Sequence, residues 1–475
     1  MIQFTNSLSR KKEAFEPLEK GKVSIYTCGP TVYDYASIGN WRTYMLGDMV
    51  VRFLMASGFD VTYVMNLTDV GHLTGDNEGD ADTGEDRMEK AKSREGKTAW
   101  DIAKFYSDDF VESFAKLHLK EPKRFARATD HIDEQISLVE RLEEKGFTYK
   151  TTDGIYFDVQ AFEKAGYSYG ELSDLDEIQA GARVALSNEK RSARDFALWK
   201  FSPTDARRDM EWDSPWGVGF PGWHVECSAM SMKYLGQQFD IHIGGEDLKS
   251  THHPNEIAQS EGATGVRPFV KYWLHGAFLK VDGGRMGKSI GNAYTLHDIE
   301  AKGFDPLALR YFYMTAHYRS SLNFTWEALE AAQNALNNLQ DTIWAAMGNP
   351  MEEDLEAVKR FQERLKDDLD TPGALAVVWE VARDTQMGAA KKLATLFRLD
   401  DFLGFGLDAE RRAAQDALAR KDVQALLDQR KAARAQKDFD AADALRHELR
   451  ELGFLVEDGV GGQTLRPFRT FPSTL

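Results

Sequence analysis

Residues Lys22 to Asn40 read K-V-S-I-Y-T-C-G-P-T-V-Y-D-Y-A-S-I-G-N. The run opens on Val23, Ile25 and Tyr26, a short apolar segment of the kind that forms a buried strand. It reaches Cys28, turns at Gly29-Pro30 and predicts a helix starting near Ser37-Ile38-Gly39-Asn40. A soft metal ligand is therefore expected at the carboxyl end of a strand, close to a glycine-containing helix start. In an open α/β sheet, ligands collect at that edge. A helix N-terminus there presents N–H groups and a positive dipole end, which suit phosphate.

Outward from this stretch, the helix is expected to run to about Ser57, followed by a second strand over Phe59 to Asn66. Strand, helix and strand make a βαβ unit, right-handed by default. The second strand runs into Leu67-Thr68-Asp69-Val70-Gly71-His72, which makes Thr68 and His72 pocket candidates, with loop capping as the plainer role. Helical spacing follows over Lys97 to Leu119 and His131 to Glu144. From Gly146 to about Asp213 short strands such as Gly154 to Asp158 alternate with turn-rich segments, as in an insertion between two halves of a doubly wound sheet. The sheet is expected to resume over Trp212 to Cys227, whose aromatics and glycines suggest a pocket wall. A strand over Phe239 to Gly245, a helix from Thr251 and a strand-like run from Tyr272 to Val281 complete that half. Asp282 to Asn292 is glycine-rich and basic, like a loop that closes on an anion. Beyond Asp305 the chain predicts helices at Trp326 to Met347, Met351 to Leu369, Ala374 to Leu396, Asp408 to Ala419 and Val423 to Leu452, then a short strand and turn at Gly453 to Gly459. The expected fold class is α/β, a doubly wound parallel sheet of Rossmann type with an insertion, followed by an α-helical bundle.

With 475 residues, two to four domains are expected. Apolar runs are short and interrupted by charge, and the start lacks a basic segment followed by an apolar one. No membrane span or secretory signal is expected, and the cytoplasm is the expected location. The net charge of −17 argues against a surface built for nonspecific nucleic-acid binding, while leaving room for a local groove that takes one folded RNA. The acidic cluster Asp76 to Asp86 lacks the bidentate glutamate of a calcium loop and reads as a solvated loop.

The chain has two cysteines, Cys28 and Cys227, which in a cytosolic protein are not expected to pair. Both fall near strand ends or helix starts of the inferred sheet, as do His252 and Glu256. The last two are four apart and share a helix face. Two thiolates, an imidazole and a carboxylate make a reasonable tetrahedral zinc set, with His253 as a rival ligand three residues from Glu256. Two buried, unreactive thiols are the plainer alternative.

Together, Tyr26 to Asp34, Gly222 to Met230, His252 to Ser260 and Met286 to Asn292 resemble the cysteinyl-tRNA synthetases, a class I aminoacyl-tRNA synthetase family, over essentially the full chain. The resemblance implies a zinc site on Cys28, Cys227, His252 and Glu256, favouring His252 over His253. The first class I signature falls on Ser37-Ile38-Gly39-Asn40 and the second on Arg285-Met286-Gly287-Lys288-Ser289. It implies two steps: activation of L-cysteine by ATP, with magnesium, to the adenylate, and transfer of the cysteinyl group to cysteine tRNA. Ile38, Gly39, Asn40, Asp247, Arg285, Met286, Lys288 and Ser289 would contact ATP. Ser37, Asn40 and Lys288 would act in catalysis, and Thr68, Trp223 and Asp247 would surround the cysteine. The implied division is 1–120, first half of the catalytic domain; 121–211, connective insertion; 212–281, second half with the zinc site; 282–325, ATP-closing loop and stem-contact region; 326–475, helical anticodon-binding region. Arg430, Lys431, Arg434 and Lys437 favour tRNA as partner, and nothing demands more than a monomer.

Three positions, in two signatures, depart from the family pattern. Ser37 replaces a histidine that donates to phosphate, and Arg285 and Gly287 replace lysine and serine in the closing loop. Two other functions fit the motifs: a zinc-dependent ligase joining cysteine to an amino sugar, and an inactive paralogue that only binds RNA.

Overall fold

The computed structural model describes residues 1–70, 86–173, 189–203, 208–287, 290–346, 350, 352–459 and 462–469. Two compact units emerge: Met1–Ala115 with Leu119–Leu296 and Tyr318–Asn323, and Lys116–His118 with His297–His317 and Phe324–Leu475.

The first unit is built on a five-stranded sheet, all of whose pairings are parallel. Its strands are β1 (Lys22–Thr27), β2 (Asp60–Leu67), β3 (Arg124–Arg127), β4 (Phe239–Gly245) and β5 (Val270–Gly276). Across the sheet they lie in the order β3-β2-β1-β4-β5, the Rossmann order. The chain winds outward from β1 in one direction and from β4 in the other. The switch point therefore falls between β1 and β4, where the crevice for a ligand opens at the strands' carboxyl ends. Helix α1 (Ile38–Ala56) joins β1 to β2 and buries Trp41, Tyr44, Met45, Val50 and Leu54. β3 lies inside the stretch expected as the insertion, so the parallel sheet gains a strand there.

The inserted segment carries its own four-stranded antiparallel sheet from Thr148–Lys150, Gly154–Phe157, Phe196–Phe201 and Gly219–Pro221. Leu142, Phe157, Phe162, Leu198 and Trp199 form its core. This corrects the expectation that the parallel sheet resumes over Trp212 to Cys227. Gly219 and Gly222 are there for strand contact: added β-carbons would meet the carbonyls of Lys200 and Ala197 at 2.0 and 2.1 Å. Cys227 instead sits in the first turn of helix α2 (Val225–Leu235). After β4, helix α3 (His252–Thr264) leads to β5.

The second unit is helical, ending in a hairpin of Phe454–Gly459 and Gly462–Pro467. Two helices expected as continuous are broken. Thr371–Arg383 stops before Ala389–Leu403 because the Asp384 carboxylate captures the N–H groups of Gln386 and Met387. Lys421–Ala435 and Phe439–Glu451 are separated by Lys437 at φ 63° and by Asp438, which caps the second helix through Ala441 N–H. Both are aspartate side chains competing with the helix for backbone donors. Arg310 is fully buried; its guanidinium donates to the carbonyls of Leu403 at 2.5 Å and Leu117 at 3.0 Å. No helix among the described residues is long and apolar enough to cross a membrane.

Candidate active site and metal centre

β1 delivers Cys28 to the carboxyl edge, where its N–H donates to Ile243 O of β4 at 3.0 Å. Gly29 follows because the chain passes so close to β2 that an added β-carbon would meet Asn66 O at 1.9 Å. The first turn of α2 supplies Cys227, and α3 supplies His252 at its start and Glu256 one turn further on. All four groups are buried, and one donor atom from each lies within 4.8 Å of every other. Cys28 Sγ is 4.0 Å from Cys227 Sγ and 3.7 Å from Glu256 Oε1, and His252 Nε2 is 3.0 Å from that same oxygen.

A second set, Cys28, His242, His253 and Glu256, is equally close. His253 Nε2 lies 3.4 Å from Cys28 Sγ, and its Nδ1 is already bonded to His275 Nε2 at 2.7 Å. His242 Nε2 bonds Glu256 Oε2 at 2.9 Å. His252 Nδ1 is in turn bonded to His224 Nδ1 at 2.9 Å, the outer contact that orients an imidazole ligand. His224, His242 and His275 escape a reading by spacing, since topology alone brings them together.

The electrostatics suit a cation. Burial pushes the Cys28 thiol well up, helped by its contact with Cys227. That contact from Cys28 pulls Cys227 down against its burial. Burial opposes a charged His252, yet Cys227 and Glu256 lift it to about 10. Burial likewise opposes an ionised Glu256, yet His242 and His252 hold it at about 2. His253 is pushed well down by burial and by the charges of His242 and its other histidine neighbours. Sulfur, imidazole and carboxylate donors gathered in a dry pocket are the donor chemistry of a divalent metal.

Trp223 stands beside this cluster, its ring 4.7 Å from that of His252. Thr68, buried after β2, donates to Glu226 Oε2 at 2.7 Å. Asp247, exposed, follows β4 and folds over Gly245. It lines a cavity of about 620 Å³ together with Arg10, Ser173, Lys249, His275 and Arg319.

The start of α1 differs from a bare phosphate cradle. Ser37 and Asn40 form a capping box: Ser37 Oγ accepts from Asn40 N–H at 3.3 Å, and Asn40 Oδ1 accepts from Ser37 N–H at 3.0 Å and from the Ser37 hydroxyl at 2.7 Å. Ile38 N–H donates to Tyr294 O at 2.8 Å. Of the three donors expected there, two are engaged within the chain; Gly39 N–H has no partner among the described residues. Met286 packs directly on Gly39. Arg285 ends a two-residue strand, and Asn292, which closes the motif but to which the sequence assigns no role of its own, accepts from Gly287 N–H at 2.8 Å and donates to Arg285 O at 3.1 Å. Lys288, Ser289 and His72 lie outside the described residues, as do 76–85 of the acidic cluster. Asp86, its last member, is buried, caps the helix Arg87–Glu95 and pairs with Arg208.

In the helical unit, Arg430 is buried and makes a bidentate pair with Asp458 at 3.0 and 2.8 Å, and Arg434 lies 3.2 Å from the same carboxylate. Lys431 and Lys437 remain exposed. Of the basic residues expected to face RNA, Arg430 is thus a packing residue.

The sequence model "tRNA synthetases class I (C) catalytic domain" matches residues 14–334. A DALR domain matches 360–407, and the cysteinyl-tRNA ligase anticodon binding domain matches 416–466. The chain is 49% identical over 462 residues to cysteine--tRNA ligase 1 of Burkholderia lata, covering 96% of this chain and 95% of the relative. It is 42% identical to the cysteine--tRNA ligase of Chlorobaculum tepidum, covering 98% of each. It is 39% identical to that of Treponema denticola, covering 98% of this chain and 99% of the relative. Methionyl-tRNA synthetase of Mycobacterium tuberculosis bound by methionyl-adenylate shares the fold at TM-score 0.55 and 16% identity, over 96% of this chain and 99% of that one.

Proposed function

The chain belongs to the cysteinyl-tRNA synthetase family of class I synthetases, and from that premise we propose that it activates L-cysteine with ATP and transfers it to the 3′ end of cysteine tRNA. The observation that carries the reading is the buried donor set of Cys28, Cys227, His252 and Glu256 at the switch point of a Rossmann sheet. One zinc ion held there would offer the substrate thiol a ligand position that serine's hydroxyl fills poorly. The amino-sugar and inactive-paralogue alternatives find no support in relatives aligned over the whole chain.

In the first step the cysteine carboxylate attacks the α-phosphate of ATP, and the bond to pyrophosphate breaks. This chemistry is mostly positioning and charge stabilisation. Thr68, Trp223 and Asp247 orient the amino acid. Gly39 lets the nucleotide approach α1, with Ile38 and Asn40 shaping that helix start. Arg285, Met286, Lys288 and Ser289 would contact ATP, the two cationic side chains neutralising the negative charge that develops on the departing pyrophosphate. Asn40 holds the cap geometry with Ser37. In the second step the terminal ribose hydroxyl of the tRNA attacks the activated carbonyl, and adenylate leaves. The helical region reads the anticodon, and the enzyme works as a cytoplasmic monomer.

The test is aminoacylation with labelled cysteine. Charging of cysteine tRNA, with serine tRNA and an amino-sugar acceptor left unlabelled, is the expected result. ATP–pyrophosphate exchange without any tRNA charging would overturn the reading.

A further inference from the structure

A chain of hydrogen bonds at the carboxyl edge fixes the polarity of the Thr68 hydroxyl. It starts from a donor whose direction is unambiguous: Gly29 N–H donates to Asn66 Oδ1 at 2.7 Å. That orients the Asn66 amide, so its Nδ2 donates to Thr68 Oγ1 at 3.1 Å. The Thr68 hydroxyl proton must then go elsewhere, and it goes to Glu226 Oε2 at 2.7 Å. Asn66, Thr68 and Glu226 are all buried, Glu226 completely. Backbone bonds hold Thr68 from both sides, Thr68 N–H to Pro30 O and Val32 N–H to Thr68 O, each at 3.0 Å.

A hydroxyl carries one proton and two lone pairs. Thr68 has given its proton to Glu226 and one lone pair to Asn66. What it can offer a ligand is a single acceptor position, strengthened by a carboxylate behind it. We propose that Glu226 is a positioning and specificity residue: through Thr68 it makes this part of the pocket a receptor for the α-ammonium of the substrate and not for its carboxylate. The proposal rests on the reading that Thr68 faces the amino acid. Glu226 immediately precedes Cys227, so one turn of α2 supplies both a member of the donor cluster and the carboxylate that sets the polarity of the amine subsite.

The test uses three thiols in ATP–pyrophosphate exchange: L-cysteine as substrate, with cysteamine (ammonium, no carboxylate) and 3-mercaptopropionate (carboxylate, no ammonium) as competitors. Glu226→Gln keeps the size of the side chain and removes the charge. A charge-assisted hydrogen bond reduced to a neutral one is worth about a factor of ten. The expected result is a rise of about tenfold in KM for cysteine and in Ki for cysteamine, with Ki for 3-mercaptopropionate unmoved and kcat little changed. Thr68→Val should reproduce that split, and Glu226→Gln added to Thr68→Val should cost nothing more. If all three thiols weaken together, or none does, the proposal is overturned. Should Glu226→Gln fail to fold, Thr68→Val alone decides by the same split. Absence of cysteine-dependent exchange in the unmutated protein would instead sink the proposed function.

Discussion

Met286 rests on the α-carbon of Gly39: a β-carbon there would lie 2.2 Å from the Met286 methyl. Met286 of the second class I signature therefore sits directly on the helix start of the first. The contact needs glycine at residue 39, although alanine is the better helix former by about 1 kcal/mol. Gly39→Ala should leave the thermal midpoint unchanged or slightly raised, because Met286 is flexible and can swing aside. ATP–pyrophosphate exchange should nevertheless fall by roughly tenfold or more, as the loop loses its seat and the nucleotide its close approach. Unchanged exchange would show that the contact is incidental.

Ser37 donates its hydroxyl proton to Asn40, so it is engaged as a cap and not aimed at a phosphate. Ser37→Ala should cost about 1 kcal/mol of stability in a denaturant titration, the usual worth of an N-cap. Exchange kinetics should change little. A large loss of kcat with unchanged stability would restore Ser37 to the catalytic machinery.

Arg430 and Lys431 are neighbours with opposite roles. Arg430→Ala should lower stability by about 2 kcal/mol, less than a fully buried pair would because Asp458 is 39% exposed and can take up water. Lys431→Ala should leave stability alone and raise KM for tRNA in aminoacylation. If Lys431→Ala destabilises while Arg430→Ala only weakens tRNA, the assignment is reversed.

Glu95 joins two helices, accepting from Arg94 Nη2 at 2.8 Å and from the Tyr106 hydroxyl at 2.6 Å. The Arg94 bond, then that of Tyr106, lowers its carboxyl from the usual 4.5 to about 2. A depressed carboxyl stabilises the fold above its unfolded value, and that contribution disappears as pH falls through the folded one. Wild type should therefore exceed Glu95→Gln by about 1 kcal/mol at neutral pH, the scale of a solvent-screened network. The gap should close between pH 4.5 and about 2. A gap that persists at the acid end would exclude the charge as its source.

The sequence made some of this legible for local reasons. An apolar run ending at Cys28, a Gly-Pro turn and a serine at the helix start are short-range signals, and β1 and α1 begin where those signals place them. The four-residue spacing of His252 and Glu256 already put them on one helix face. Partners joined only by topology were not legible. Glu226 gains its meaning from Thr68, just past the end of β2 and 158 positions earlier, and Asn292 from the far side of its loop. Arg430 looks like a surface cation until the hairpin brings Asp458 to it. The broken helices carry continuous amphipathic patterns; Asp384 captures two backbone N–H groups where the first is interrupted, and Lys437 at φ 63° with the Asp438 cap divides the second.

Thiol selection through a metal held by Cys28, Cys227, His252 and Glu256 is the step of the proposed function on which the others depend. The most direct measurement is metal content and amino-acid-dependent ATP–pyrophosphate exchange on one preparation, for the unmutated protein and for Cys227→Ser. One zinc per chain is expected, with exchange driven by cysteine and not by serine, and with zinc and that preference lost together in Cys227→Ser. Full cysteine preference in a zinc-free Cys227→Ser protein would contradict thiol selection by the metal.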